Sequence, residues 1–228
     1  AASFEIPSAL LETATPAQHG WLVRLANLPL ADRGNAAAVA AATGAISSTE
    51  VNRLLAASAE AGDPAEVNRS PAGFLRRASV APQMSERVAA LRMLGGVGAD
   101  GSLEHYGWQV AGAQAAARIA PDGGLAGDAP MLAASLMAAG ITAPATGWWQ
   151  AAAGAGSQTR ADLWAQLVAV SNEIPVESGL YDRWASRAPA HRANLLSAGL
   201  QGLGRDSPGG AVERLDNPWT AALDRAVA

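Results

Sequence analysis

Residues 129–159 read APMLAASLMAAGITAPATGWWQAAAGAGSQT, 31 residues between Asp128 and Arg160 with no charge. A stretch of this length raises the question of a membrane span. Its details argue for another answer. Pro130, Gly140, Pro144, Gly147, Gly154 and Gly156 interrupt it, and much of its apolar content is Ala, which drives insertion poorly compared with Leu or Ile. The stretch is read as a buried helical hairpin at the centre of the fold, with no transmembrane span and with peripheral membrane contact as the alternative. Trp148 and Trp149 lie inside it. Adjacent helical residues point about 100° apart, so one ring is expected in the core and the other at a groove or interface. Exposed Trp anchors protein contacts, which makes Trp148 and Trp149 the candidate binding residues. The plainer reading is that both rings fill space among alanines.

Helix signals recur outward from this segment in both directions. Thr15-Pro16 sets a capping residue before a proline, followed by Trp21, Leu22, Leu25 and Leu28 on one helical stripe. Ser47-x-x-Glu50 is a capping box ahead of Val51, Leu54, Leu55 and Ala59, with Gly62 as the stop. Asp63-Pro64 and Ser70-Pro71 are two further starts. Ser85 precedes Val88, Leu91 and Leu94, and helices are expected over 103–119 and 128–139, the latter ended by Gly140. On the C-terminal side Thr159-x-x-Asp162 reads as a capping box for Leu163, Trp164, Leu167, Val168 and Val170. Ser178, Pro189 and Asn217-Pro218 open three more helices.

The fold class expected is all-α, with about ten to twelve short helices. Alternating β-branched runs are nearly absent, which argues against a sheet. The chain carries 56 alanines, the best helix former, and small side chains let helix axes approach closely. Gly-containing turns near Gly62, Gly98, Gly140 and Gly204 suggest an irregular α-solenoid or helical-hairpin array. A compact irregular helical domain is the alternative, because the spacing is uneven. Residues 1–228 are taken as one all-helical domain or array, with a weak subdivision at 120–128. The opening Ala1-Ala2-Ser3 and the apolar run into Ala228 suggest a processed part or fragment of a longer chain.

Composition excludes several classes of function. There is no Cys and no Lys; all 16 basic residues are Arg. A disulfide scaffold, a thiol enzyme and a Schiff-base lysine enzyme are thereby ruled out. With a net charge of −4, no nucleic-acid partner is expected. Charged residues make up 16% of the chain, against roughly 25% in an average globular protein. The lack of Lys beside abundant Ala, Arg and Gly suggests a GC-rich bacterial source. A periplasmic or other extracytoplasmic location is the expectation, with the cytoplasm as the alternative.

Few motifs carry chemistry. Gly96-Val97-Gly98-Ala99-Asp100-Gly101 matches the dinucleotide fingerprint in letters, but a helical pattern precedes it where a strand is required. It is read as a loop, and no cofactor is expected. His19, His105 and His191 are far apart, with no second His at a ligand spacing, so no metal is expected. Asp122 and Asp128 flank a Gly-rich connector without the donors of a calcium loop. Glu177-Ser178 at a helix start, followed by Gly199-Leu200-Gln201-Gly202, resembles in outline the catalytic motif of lytic transglycosylases. The later segment departs from the expected Gly-Leu-Met-Gln order. The resemblance would imply Glu177 as a general acid, which needs a partly buried carboxyl. The plainer role for Glu177 is a carboxylate favoured by the helix dipole.

The preferred expectation is therefore a non-enzymatic bacterial helical binding or assembly module, presenting a groove to a protein or peptide partner. Two alternatives stand beside it. One is a cell-wall glycan-cleaving enzyme using Glu177; the other is a structural subunit of a larger envelope complex.

Overall fold

In the computed structural model the described residues are 13–205, apart from residue 26. Among them are twelve α-helices, two short 3-10 turns and no strand. In chain order the helices are α1 (Pro16–Leu22), α2 (Leu30–Ala42), α3 (Ser48–Ala61), α4 (Pro64–Arg69), α5 (Pro71–Val80) and α6 (Met84–Gly95). There follow α7 (Leu103–Ala116), α8 (Ala129–Ala138), α9 (Thr142–Ala151), α10 (Ser157–Leu167), α11 (Ser178–Ala185) and α12 (Ala190–Gly202). The 3-10 turns cover Gly123–Asp128 and Ala152–Gly154. None of the described helices is long and apolar enough to cross a membrane.

Local chemistry sets most of the starts. At α1 the Thr15 backbone N–H donates to Gln18 Oε1 at 2.6 Å, and Thr15 Oγ1 accepts from the Gln18 N–H, a reciprocal box. Ser47 accepts from the Glu50 N–H, Asp63 from those of Ala65 and Glu66, Ser70 from that of Gly73 and Ser102 from that of His105. Each cap satisfies amides that a helix start leaves without an intrahelical partner.

Consecutive helices pack on one another along much of the chain, as in a helical array, and α7 draws them into a compact arrangement. It touches α2, α3, α5, α6 and α8. Its sequence explains this. Gly107, Ala111, Gly112, Ala113, Ala115 and Ala116 are all buried, so five neighbours can come near its axis. The α2 crossing is the tightest. A Cβ at position 107 would overlap the Ala38 backbone carbonyl, so only Gly fits there. Trp108 then fills the space beside Gly34 and is fully buried. A second group of helices, α8, α9 and α10, encloses Leu132, Leu136, Trp148, Leu163, Trp164 and Leu167, all with no exposed surface.

Several sequence expectations need correction. The Trp21–Leu28 stripe is not one helix: α1 ends at Leu22, and Trp21 and Leu25 are exposed while Leu22 and Leu28 are buried. Helix α6 begins at Met84, so Ser85 lies inside it. The Thr159/Asp162 capping box does not form, because α10 already starts at Ser157 after Gly156. Asp162 instead accepts from Gln158 Nε2 at 2.9 Å, one turn earlier on the same helix. Val170, expected on the buried face of that segment, is exposed. The helix expected from Asn217-Pro218 lies outside the described residues.

Candidate functional site

The expected site residues are brought near one another, but not as a groove. Trp148 is fully buried and Trp149 is 5% exposed. Two adjacent rings can both be covered because α9 has α8 on one side and α10 on another, with the two 3-10 turns against it. The remaining face of Trp149 is covered by Arg160. The Arg160 guanidinium carbon lies 3.4 Å from the ring centroid, and its Nη1 donates to the Trp149 carbonyl at 2.7 Å. Burial against the ring pushes the Arg160 pKa down, and the Glu177 carboxylate opposes that shift. Trp149 and Arg160 thus form one cluster, and Glu177 acts on it only by charge. Glu177 is exposed and stands just before α11 without capping it. It lacks the burial that a glycan-cleaving acid requires. The expectation that one of the two tryptophans faces a groove is not met.

The histidines stay apart. His19 Nδ1 lies 3.0 Å from the Thr15 carbonyl, and His191 is exposed. The Gln109 amide reaches His105 Nε2 at 3.0 Å. An amide nitrogen can only donate, so Nε2 accepts in that contact. Asp100, exposed and 4.0 Å from the same atom, is not its partner in that tautomer. Among the described residues no three metal-ligating side chains gather. Residues 96–101 form a turn between α6 and α7, with Gly98 at φ 80° and Gly101 at φ 79°, in keeping with the loop reading.

The structure instead opens a cleft of about 660 Å³ where six helices meet. Arg92, Gly95 and Gly96 border it from the α6 end, and Gln109 from α7. Pro130, Met131, Ala134 and Ser135 come from α8, Asp162, Ala165 and Gln166 from α10, Trp184 from α11 and Arg192 from α12. Arg92 is fixed by a two-pronged ion pair to Asp128, at 2.5 and 2.7 Å, which raises its pKa through the hydrogen bond first and the charge second. Trp184 is half-buried and Arg192 exposed. Arg192 makes no ion pair among the described residues. Gln166 is the unusual group: its Oε1 is buried and accepts no hydrogen bond from the described residues. A buried acceptor without a donor costs about 1–3 kcal/mol.

Sequence reasoning missed this cleft. Asp162, Ala165 and Gln166 lie at i, i+3 and i+4 on α10, which puts them on one face beside the buried Leu163 and Trp164. That polar pair edging an apolar stripe was the available signal. The contribution of Arg92, Trp184 and Arg192 from three other helices had no local signal.

Comparison with known proteins returns no relative: no family model, no curated protein and no solved structure matches the chain.

Proposed function

We propose that this chain is a non-enzymatic helical binding module, which presents the six-helix cleft to a peptide segment of a protein partner. The observation that carries this reading is Gln166 Oε1, a buried acceptor in the wall of a cleft that also holds Trp184, Arg92 and Arg192. An extended peptide offers a row of backbone N–H donors, one of which would complete Gln166 Oε1 once the amide turns out into the cleft. Its volume of about 660 Å³ lies in the range of ligand-binding clefts. Trp and Arg are the residues that most often dominate binding energy at such surfaces. Asp162 and Arg192 give the cleft one acid and one cation without an ion pair among the described residues, so the peptide would carry charges of both signs. The lack of Lys beside abundant Ala, Arg and Gly fits a GC-rich bacterial source.

Panning a random peptide library on the purified chain tests the proposal. Selected peptides should bind by calorimetry about tenfold more weakly to Trp184→Ala and to Gln166→Leu. Glu177→Gln, outside the cleft, should bind them unchanged. If affinity is lost in Glu177→Gln and kept in the two cleft variants, the cleft is not the site. Release of muropeptides from peptidoglycan, abolished by Glu177→Gln, would replace the proposal with the glycan-cleaving reading.

A further inference from the structure

A second pocket lies between α3, α5 and α7, on side chains that take no part in the six-helix cleft. It encloses about 290 Å³, at the small end for ligand sites. Its floor is apolar. Leu55 and Leu75 are 1% and 2% exposed, and Val80, 67% exposed, stands at its rim. Its charges have one sign: Arg76 and Arg118 border it and no acidic residue does. Neither arginine makes an ion pair among the described residues, although the chain as a whole carries −4. Glu60 stands in an adjoining cleft that Arg76 also borders, and the two form no salt bridge.

The polar lining favours the same charge. Asn52 is committed: its Nδ2 donates to the carbonyls of Ser48 at 2.7 Å and Ala111 at 3.1 Å, which ties α3 to α7 and stiffens the wall. Thr49 is exposed in the first turn of α3, a 14-residue helix whose N-terminal end favours an anion. Gln114 adds an amide whose contact to Ser48 Oγ is long, at 3.5 Å. The donors therefore sit around an apolar floor.

We propose that this pocket binds the carboxylate of a small apolar acid. The carboxylate lies between Arg76 and Arg118, and the apolar part rests on Leu55, Leu75 and Val80. The same chemistry is offered by a free short-chain fatty acid and by the C-terminal residue of a peptide. The test is amide NMR titration of the whole chain with four probes: hexanoate, N-acetyl-leucine, hexanol and inorganic phosphate. The expected result is saturable shifts on α3, α5 and α7 with at least one of the two carboxylates, and none with hexanol. The tighter of the two carboxylates identifies the source. In the Arg76→Gln/Arg118→Gln double variant, whose exposed side chains leave the core untouched, the affinity should fall about tenfold or more. Binding of hexanol as tight as that of hexanoate would overturn the proposal. So would binding of phosphate with neither carboxylate, an unchanged affinity in the double variant, or no saturable shift with any probe.

Discussion

Trp164 and Trp148 are both fully buried and differ in one hydrogen bond. The Trp164 indole donates to the Pro175 carbonyl at 2.9 Å, whereas the Trp148 indole nitrogen has no partner among the described residues. Replacing either by Phe leaves a similar gap, but only Trp164→Phe also removes a hydrogen bond. It should cost about 1 kcal/mol more in urea denaturation than Trp148→Phe; equal losses would mean that the bond contributes nothing net. Arg205 offers a larger effect. Its guanidinium donates to the carbonyls of Val168, Ser171 and Ile174, closing the loop that follows α10. Arg205→Ala should lose about 2 kcal/mol, read by the same denaturation. Glu50 gives a pH signature. Its carboxyl is held below its ordinary value, first by the hydrogen bond from Arg53 and then by charge, with Arg24 adding to both. With the folded pKa depressed, the associated stabilisation is present above the ordinary carboxylate value and fades as pH falls through the lowered one. NMR titration should show the Glu50 midpoint moving up in Arg53→Gln; an unmoved midpoint would remove Arg53 as the cause. Of these residues the sequence made only the Ser47 cap on the Glu50 N–H legible, because capping is local; the other half of the expected box does not form, since the Glu50 carboxylate accepts from Arg24 and Arg53. The partners of Trp164, Arg205 and Arg160 are set by the folded path of the chain.

At the level of elements, the capped starts of α1, α3, α4 and α5 were readable from Thr15, Ser47, Asp63 and Ser70. The longest-hidden element is α2. Its sequence, Leu30 to Ala42, contains no stripe of large side chains, and its buried residues are Gly34 and five alanines. A periodicity search weighs large apolar residues and passes over alanine, yet alanine is what permits the close crossing with α7. Gly107→Ala measures that crossing. The added methyl would overlap the Ala38 carbonyl, so α2 or α7 must shift, at a cost of about 3 kcal/mol. A stable Gly107→Ala protein with unchanged α2 and α7 amide shifts would contradict the packing described here. The tryptophan pair fails for a related reason. The 100° argument holds for an isolated helix, but α9 is covered by α8, by α10 and by the Arg160 guanidinium, and so has no free side at Trp149.

Across the whole molecule, burial is uneven. Helix α7 touches five other helices, while α11 has no buried residue and α12 buries only Ala193, Ser197 and Leu200. Native-state hydrogen exchange should therefore find the slowest amides in α7 and much faster ones in α11; equal protection would argue against this hierarchy. The all-helical class was legible from caps, glycines and alanine. The cleft was not, because its six helices meet only in the fold. That cleft borders α11, which buries no residue, and α12, which buries three of thirteen, so Trp184 and Arg192 ride on lightly packed elements. The most direct measurement of the proposed function is an amide-shift map of the intact chain titrated with a library-selected peptide. Shifts concentrated at residues 92–96, 130–135, 162–166, 184 and 192 are the predicted result. Shifts confined to other surfaces, with these positions silent, would contradict it.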